Sequence, residues 1–164
     1  MLKEIKKSAE MKMFLEFAPQ YFDYMCKSFF HNYPCALAKI LGAYKVVVFN
    51  HTKNKQEKRY FFLMENLNLG ISNADEIVRY DLKGSTKRRF VPVYSEGQVL
   101  LDNNFLLDHH SKPVPIVYNM RSILKICINN DSLFLAKSNI VDYSLLAIIN
   151  KTRKTIRFGI IDYI

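Results

Sequence analysis

The chain has 164 residues, 49% of them hydrophobic and 24% charged, with a formal net charge of +9. That balance suits an ordinary globular protein with a real core. No apolar run approaches the roughly 20 residues needed to span a bilayer, and the basic start Met-Leu-Lys-Glu-Ile-Lys-Lys lacks the apolar stretch of a signal peptide. The three cysteines, Cys26, Cys35 and Cys127, are scattered and lack C-x-x-C spacing. They read as buried structural thiols in a reducing compartment, not as a zinc site or a disulfide framework. The positive excess gathers at Lys3–Lys12, Lys53–Arg59, Lys83–Arg89 and Lys151–Arg157. It points to a polyanionic partner, with solvated loops as the plainer alternative.

Ser8 is placed to cap a helix that Glu10 and Met11 begin. Phe14, Phe17, Ala18, Tyr21, Phe22, Met25 and Phe29 recur at helical spacing and predict one broad apolar face. Pro19 implies two consecutive helices or one kinked helix between about residues 9 and 30. Tyr44–Asn50 and Tyr60–Met64 read as the strands of a β-hairpin with a long polar loop between them. Ile77–Leu82 is a short strand running into Lys83-Gly84-Ser85-Thr86. Val91–Val93, with Pro92 inside, reads as an edge or loop, and Asp102 opens a short helix. A helix follows from Tyr118 to Cys127, and Asn130 or Asp131 caps a further short one through Lys137. Tyr143–Ile149 and Thr155–Ile161 are two strands joined by a basic turn. With no linker, repeat or regular βαβ unit, the expectation is a single α+β domain with antiparallel sheet and flanking helices.

Three constellations carry chemistry. Asp142 precedes one strand of the last hairpin and Asp162 ends the other, at nearly equal distances from the connecting turn. Antiparallel pairing therefore sets the two carboxylates side by side, an unfavourable placement unless a cation lies near them. Phosphoryl-transfer enzymes use such a pair: one carboxylate orients or deprotonates the attacking hydroxyl, and the other holds magnesium. Strand-end carboxylates that merely cap turns are the plainer alternative. In the second constellation, Lys83 offers a point charge, Gly84 a close backbone approach, and Ser85 and Thr86 donors for phosphate oxygens. Exposed turns often look the same. In the third, Met64, Glu65 and Asn66 leave an apolar strand and could offer backbone groups to a flat heterocycle.

The strings DLKGST (Asp81–Thr86), NIVDYSLL (Asn139–Leu146) and GIID (Gly159–Asp162), in that order, resemble the phosphatidylinositol phosphate kinase family. FLEFAPQYFDYM, ALAKILGAYKV, LMENL and LLDNNFL extend the likeness over nearly the whole chain. They are most similar to the type III, FYVE-finger-bearing branch, which makes the 3,5-bisphosphate from phosphatidylinositol 3-phosphate. The resemblance implies a distant protein-kinase-like core using ATP and Mg2+. It implies Asp142 as the catalytic aspartate, with Lys83 beside it among the catalytic and phosphate-contacting groups. It implies Asp162 as the magnesium aspartate, Ser85 and Thr86 near substrate phosphate, and Met64–Leu67 as the hinge over adenine. Lys3, on an expected strand, falls at the nucleotide-phosphate lysine, with Lys6 and Lys7 as competitors.

The family's Gly-rich loop would precede Lys3 and its specificity loop would follow Asp162, and these 164 residues contain neither. The expectation is thus a partial catalytic domain, incomplete at both ends. The implied partner is a phosphoinositide in an anionic membrane surface. The implied location is cytoplasmic and peripheral, on endosomal or vacuolar membrane. The alternative is a catalytically incompetent fragment serving as an anionic-lipid-binding or scaffold module. A nucleic-acid partner is set aside, since no aromatic-basic RNA motif or recognition helix accompanies the charge.

Overall fold

A computed structural model of the chain describes every residue except Lys7, Lys53, Tyr94, Glu96 and Ser111, and describes Ser8 without its side chain. The proposed Ser8 cap, the competing Lys7 and the Lys53 end of a basic cluster therefore lie outside the described side chains. The chain divides into two compact units. The first comprises Met1–Tyr33, Ala38–Asn66 and Ile164, and the second Pro34–Leu37 and Leu67–Tyr163. Sequence shows no linker because the chain changes unit within short segments of ordinary composition.

The first unit holds β1 (Leu2–Ile5), α1 (Ser8–Phe30), β2 (Ile40–Asn50) and β3 (Lys55–Met64). Its sheet runs β1-β3-β2, antiparallel throughout. The proline leaves α1 a single helix with Pro19 inside it. Its buried stripe is Phe14, Phe17, Tyr21 and Tyr24, while Phe22 and Phe29 of the expected face are exposed. The sheet is narrow, so it covers only the stripe centred on Phe17 and Tyr21. Phe14 meets Phe62 of β3 edge-on, with ring centroids 4.6 Å apart. The buried Tyr21 hydroxyl accepts a hydrogen bond from the Ile40 N–H at 2.7 Å, fixing the entry into β2. The long polar loop of the hairpin is really a tight turn. Lys55–Arg59 pair with Val46–Asn50, and Asn54 turns the chain at φ 45°. Polar side chains there face water on a solvated ribbon, which hid their strand character.

The second unit holds β4 (Ile77–Leu82), β5 (Val99–Leu101), α2 (Asp102–Asp108), α3 (Tyr118–Lys137), β6 (Ser144–Asn150) and β7 (Thr155–Ile161). The sheet order is β5-β4-β6-β7. The pairs β4·β6 and β6·β7 are antiparallel, but β5 runs parallel to β4. The α+β expectation holds, with one parallel pair added. Tyr80, Leu100 and Ala147 form the buried centre of the sheet, backed by Phe105 and Phe158. Gly159 has no side chain because a Cβ there would run into the Leu67 methyls.

The two short helices expected around Asn130 are one continuous α3. Asp131 sits within it, fully buried, and accepts the Ala36 N–H at 2.6 Å. A residue that looked like a local cap satisfies a distant backbone donor instead. Of the cysteines only Cys127 is buried, and burial together with nearby Asp131 pushes its thiol up. Cys26 is exposed on α1 and Cys35 half-buried. No helix among the described residues is long and apolar enough to cross a membrane.

Tyr21→Phe removes the acceptor for a buried N–H and is expected to cost about 1–3 kcal/mol. Urea unfolding should show a lower midpoint with an unchanged slope. An unchanged midpoint would mean that water replaces the hydroxyl.

Candidate active site

The site is built from the ends of β4, β5, β6 and β7. In the parallel β4·β5 pair, Asp81 stands opposite Leu101, so the two strands end together. The next residue after β5 is Asp102, first residue of α2, and it meets the turn that leaves β4. Its carboxylate accepts the Lys83 N–H at 3.0 Å and the Gly84 N–H at 2.8 Å. Gly84 adopts φ +71°, a left-handed conformation that suits glycine. Arg89 closes the arrangement. Its Nε donates to Asp102 at 2.8 Å, and one terminal nitrogen donates to both the carboxylate and the carbonyl of Asp81.

Arg89 and Asp102 are largely enclosed, with 16% and 9% of their side chains exposed. Burial alone would push the Asp102 carboxyl up. The Arg89 guanidinium and the Gly84 and Lys83 N–H groups outweigh it and hold Asp102 below the usual carboxylate range. Burial likewise works against the Arg89 charge, and its bonds to Asp102 and Asp81 prevail to raise it. Arg89, placed by sequence in a basic cluster, is thus committed to structure.

With its backbone pinned, Lys83 reaches across β4·β6, where Leu82 stands opposite Leu145. Lys83 Nζ donates to the Asp142 carboxylate at 2.5 Å and to the Asp142 carbonyl at 2.6 Å. The hydrogen bond and then the charge of Lys83 lower the Asp142 carboxyl below its usual range. Asp142 is otherwise open to solvent, 84% of its side chain being exposed.

In β6·β7, Ser144 pairs with Ile161, so Asp142 and Asp162 flank the same open end of the hairpin, as the strand count predicts. Both depart from extended geometry, at φ 68° and 58°. The cation beside Asp142 is the Lys83 ammonium. No group of three or more His, Cys, Asp or Glu side chains is placed to hold a metal among the described residues. That donor set still fits magnesium, which keeps several waters and usually takes one or two protein carboxylates plus substrate phosphates. Asp162 is exposed at the strand end and can serve as such a ligand.

A cavity of about 490 Å³ adjoins this cluster within the second unit. Lys83, Ser85, Thr86 and Tyr143 supply its polar lining, and Phe105 and Leu145 belong to the apolar part. Ser85 and Thr86 are both exposed.

The expected nucleotide residues lie in the first unit, apart from Leu67, which begins the next stretch of the second. Lys3 is on β1, as expected, and its Nζ donates to the Ile164 carbonyl at 3.3 Å. Lys6 follows the strand and is exposed. Backbone groups of Met64–Leu67 are already engaged. Met64 exchanges two hydrogen bonds with Met1, the Glu65 N–H donates to Lys39, and the Leu67 carbonyl accepts from Arg157. The Glu65 carboxylate also takes Lys39 Nζ at 3.1 Å.

Sequence reasoning missed Asp102 and Arg89 as organisers of the turn. The available signal was a buried-type Asp directly after an apolar run, within reach of a basic segment that also follows Asp81. Recognising it required the parallel pairing of a three-residue strand.

A family model described as Phosphatidylinositol-4-phosphate 5-Kinase matches residues 1–163. Among curated proteins, the chain is 37% identical over 158 residues to the 1-phosphatidylinositol 3-phosphate 5-kinase of Saccharomyces cerevisiae, covering 95% of this chain and 7% of that protein. It is 38% identical over 159 residues to the Homo sapiens 1-phosphatidylinositol 3-phosphate 5-kinase, covering 94% and 7%. A putative Drosophila melanogaster enzyme of the same name is 38% identical over 165 residues, covering 99% and 9%. The chain therefore spans less than a tenth of the length of these relatives.

Asp102→Asn leaves Arg89 half-paired and is expected to cost about 2–3 kcal/mol at neutral pH. Because the folded carboxyl is depressed, its stabilisation is present above the unfolded value of about 4 and is lost as pH falls through the folded value. Urea titrations should therefore show a shallower loss of stability below about pH 4 in the variant. Parallel acid limbs would deny Asp102 this role.

Proposed function

The chain belongs to the phosphatidylinositol-4-phosphate 5-kinase family, and from that premise we propose that it forms the catalytic core of a lipid kinase. The reaction is transfer of the ATP γ-phosphate to an inositol hydroxyl of a phosphatidylinositol phosphate. The names of its relatives favour phosphatidylinositol 3-phosphate as substrate and its 5-hydroxyl as acceptor. The observation that carries this reading is the Lys83–Asp142 pair, pinned by Asp102 at the strand ends where Asp162 also stands.

Phosphoryl transfer passes through a loose transition state, so the protein contributes mainly position and charge. Asp142 accepts a hydrogen bond from the attacking hydroxyl and takes its proton as the new oxygen–phosphorus bond forms, while the bond from the γ-phosphorus to the β-phosphate oxygen breaks and ADP leaves. With its carboxyl lowered by Lys83, Asp142 is fully ionised at neutral pH and acts chiefly by orienting the hydroxyl. Lys83 holds that carboxylate and offers its charge to the incoming phosphoryl oxygens. Ser85 and Thr86 take the substrate's phosphate. Asp162 would hold magnesium, which would neutralise charge on the nucleotide phosphates. Separately, family membership favours nucleotide contacts by Lys3 and by Met64–Leu67. The protein works as a peripheral enzyme on an anionic membrane of endosomal or vacuolar type.

Asp142→Asn in the full-length protein is expected to lower turnover on vesicles carrying phosphatidylinositol 3-phosphate by about 10³-fold. Its thermal midpoint should match the parent. Turnover within a few-fold of the parent would remove Asp142 from the mechanism.

A further inference from the structure

The β2–β3 hairpin carries a surface that the catalytic reading leaves unused. Every β2 residue from Tyr44 to Phe49 is exposed, with Val46, Val47, Val48 and Phe49 at 41–48%. Consecutive apolar residues exposed on both sides of a ribbon are unusual for a surface strand.

The two faces differ in charge. Residues directly opposite in an antiparallel pair share a face. The register Lys45↔Tyr60, Val47↔Lys58 and Phe49↔Gln56 puts Lys45, Val47, Phe49, Lys58 and Tyr60 together. The other face carries Tyr44, Val46 and Val48 with Lys55, Glu57, Arg59 and, from β1, Glu4. There two cations balance two carboxylates, and Arg59 lies 3.2 Å from Glu57 and 3.9 Å from Glu4. The first face has no carboxylate along the hairpin, and Lys45 and Lys58 are both exposed.

We propose that this face, led by Val47 and Phe49, seats the chain on an anionic lipid surface. Val47 and Phe49 enter the boundary between headgroups and acyl chains, and Lys45 and Lys58 meet lipid phosphates. The chemistry selects this occupant. Free phosphate has no use for the two apolar side chains between the lysines. A second copy stacked on the same face would oppose lysine to lysine, and Lys45 on the edge strand discourages strand addition. The inference rests on the reading that the substrate is embedded in a membrane, and it assigns the docking to this hairpin.

The test is cosedimentation of the 164-residue chain with phosphatidylcholine vesicles, with and without phosphatidylserine, and with inorganic phosphate as competitor. Circular dichroism confirms the fold of each variant. Binding is expected only with phosphatidylserine, and it weakens with salt but not with millimolar phosphate. Val47→Ser with Phe49→Ser should weaken it about tenfold, whereas Val46→Ser with Val48→Ser, on the opposite face, leaves it unchanged. Parental vesicle binding by the Val47/Phe49 variant overturns the assignment while leaving a membrane enzyme standing. Equal loss in both variants overturns the face. No binding by the parent overturns this proposal and the membrane reading beneath it, while kinase activity on a soluble headgroup would keep the catalytic reading. Parent dimers in sedimentation velocity that become monomers in the Val47/Phe49 variant, with vesicle binding intact, would make a second copy the occupant.

Discussion

A single carboxylate, Asp102, accepts hydrogen bonds from the N–H groups of Lys83 and Gly84 and from the Arg89 guanidinium. Enclosing a carboxylate is unfavourable unless its lone pairs are taken up, and here three donors from one turn and the segment after it do so. The result is a junction of the end of β4, the start of α2 and the basic stretch that follows the turn. The direction in which Lys83 leaves the backbone depends on that junction. So does the position of the Asp142 carboxylate, which Lys83 holds by both its side chain and its carbonyl. An exposed carboxylate at the end of a strand would otherwise sample many rotamers. Lys83, whose backbone Asp102 pins, holds this one in place.

The same arrangement changes how the net charge of +9 should be understood. Much of the excess is used to tie loops to strands. Arg89 serves Asp81 and Asp102, Lys151 lies 2.6 Å from Glu76, and Arg153 lies 3.0 Å from Asp75. Arg157 donates to the carbonyls of Leu67 and Leu69. The exposed Lys151–Glu76 pair contributes little stability, whereas the Arg89 pairs are largely enclosed. Lys87 and Arg88 beyond the turn, and Lys45 and Lys58 on the β2–β3 ribbon, are exposed cations.

The parts of the fold legible in the sequence were those whose patterning is local. The strand Ile77–Leu82 was read with its observed bounds, and the β6–β7 hairpin within one residue, because β-branched runs end there in turn residues. Elements with distant causes escaped. The strand β5 has three residues and exists through its parallel partner. The apparent break in α3 came from Asp131, whose acceptor role is satisfied by Ala36, 95 positions away. Phe22 and Phe29 matched the helical period, yet they are exposed while Tyr24 is buried, edge-on to Tyr33 beyond the helix. For the site, strand counting alone brought Asp142 and Asp162 to one end of the hairpin. The ammonium beside Asp142 could not be read from spacing, since it depends on where β4 ends relative to β6.

Both aspartates sit in left-handed backbone conformations, Asp142 at φ 68° and Asp162 at φ 58°. Side chains other than Asn, Asp and Gly pay for that geometry with strain. Each position therefore answers to two separate filters. The backbone favours Gly, Asn and Asp, and the proposed chemistry calls for a carboxylate. Under mutational drift, the change that leaves the turn undisturbed is a single exchange of carboxylate for carboxamide. A lineage that abandoned phosphoryl transfer while keeping this architecture would accumulate asparagine at these two sites before any other residue. Under the proposed mechanism, the turn geometry provides a marker, readable from sequence alone, for separating working members of such a lineage from folded but silent ones.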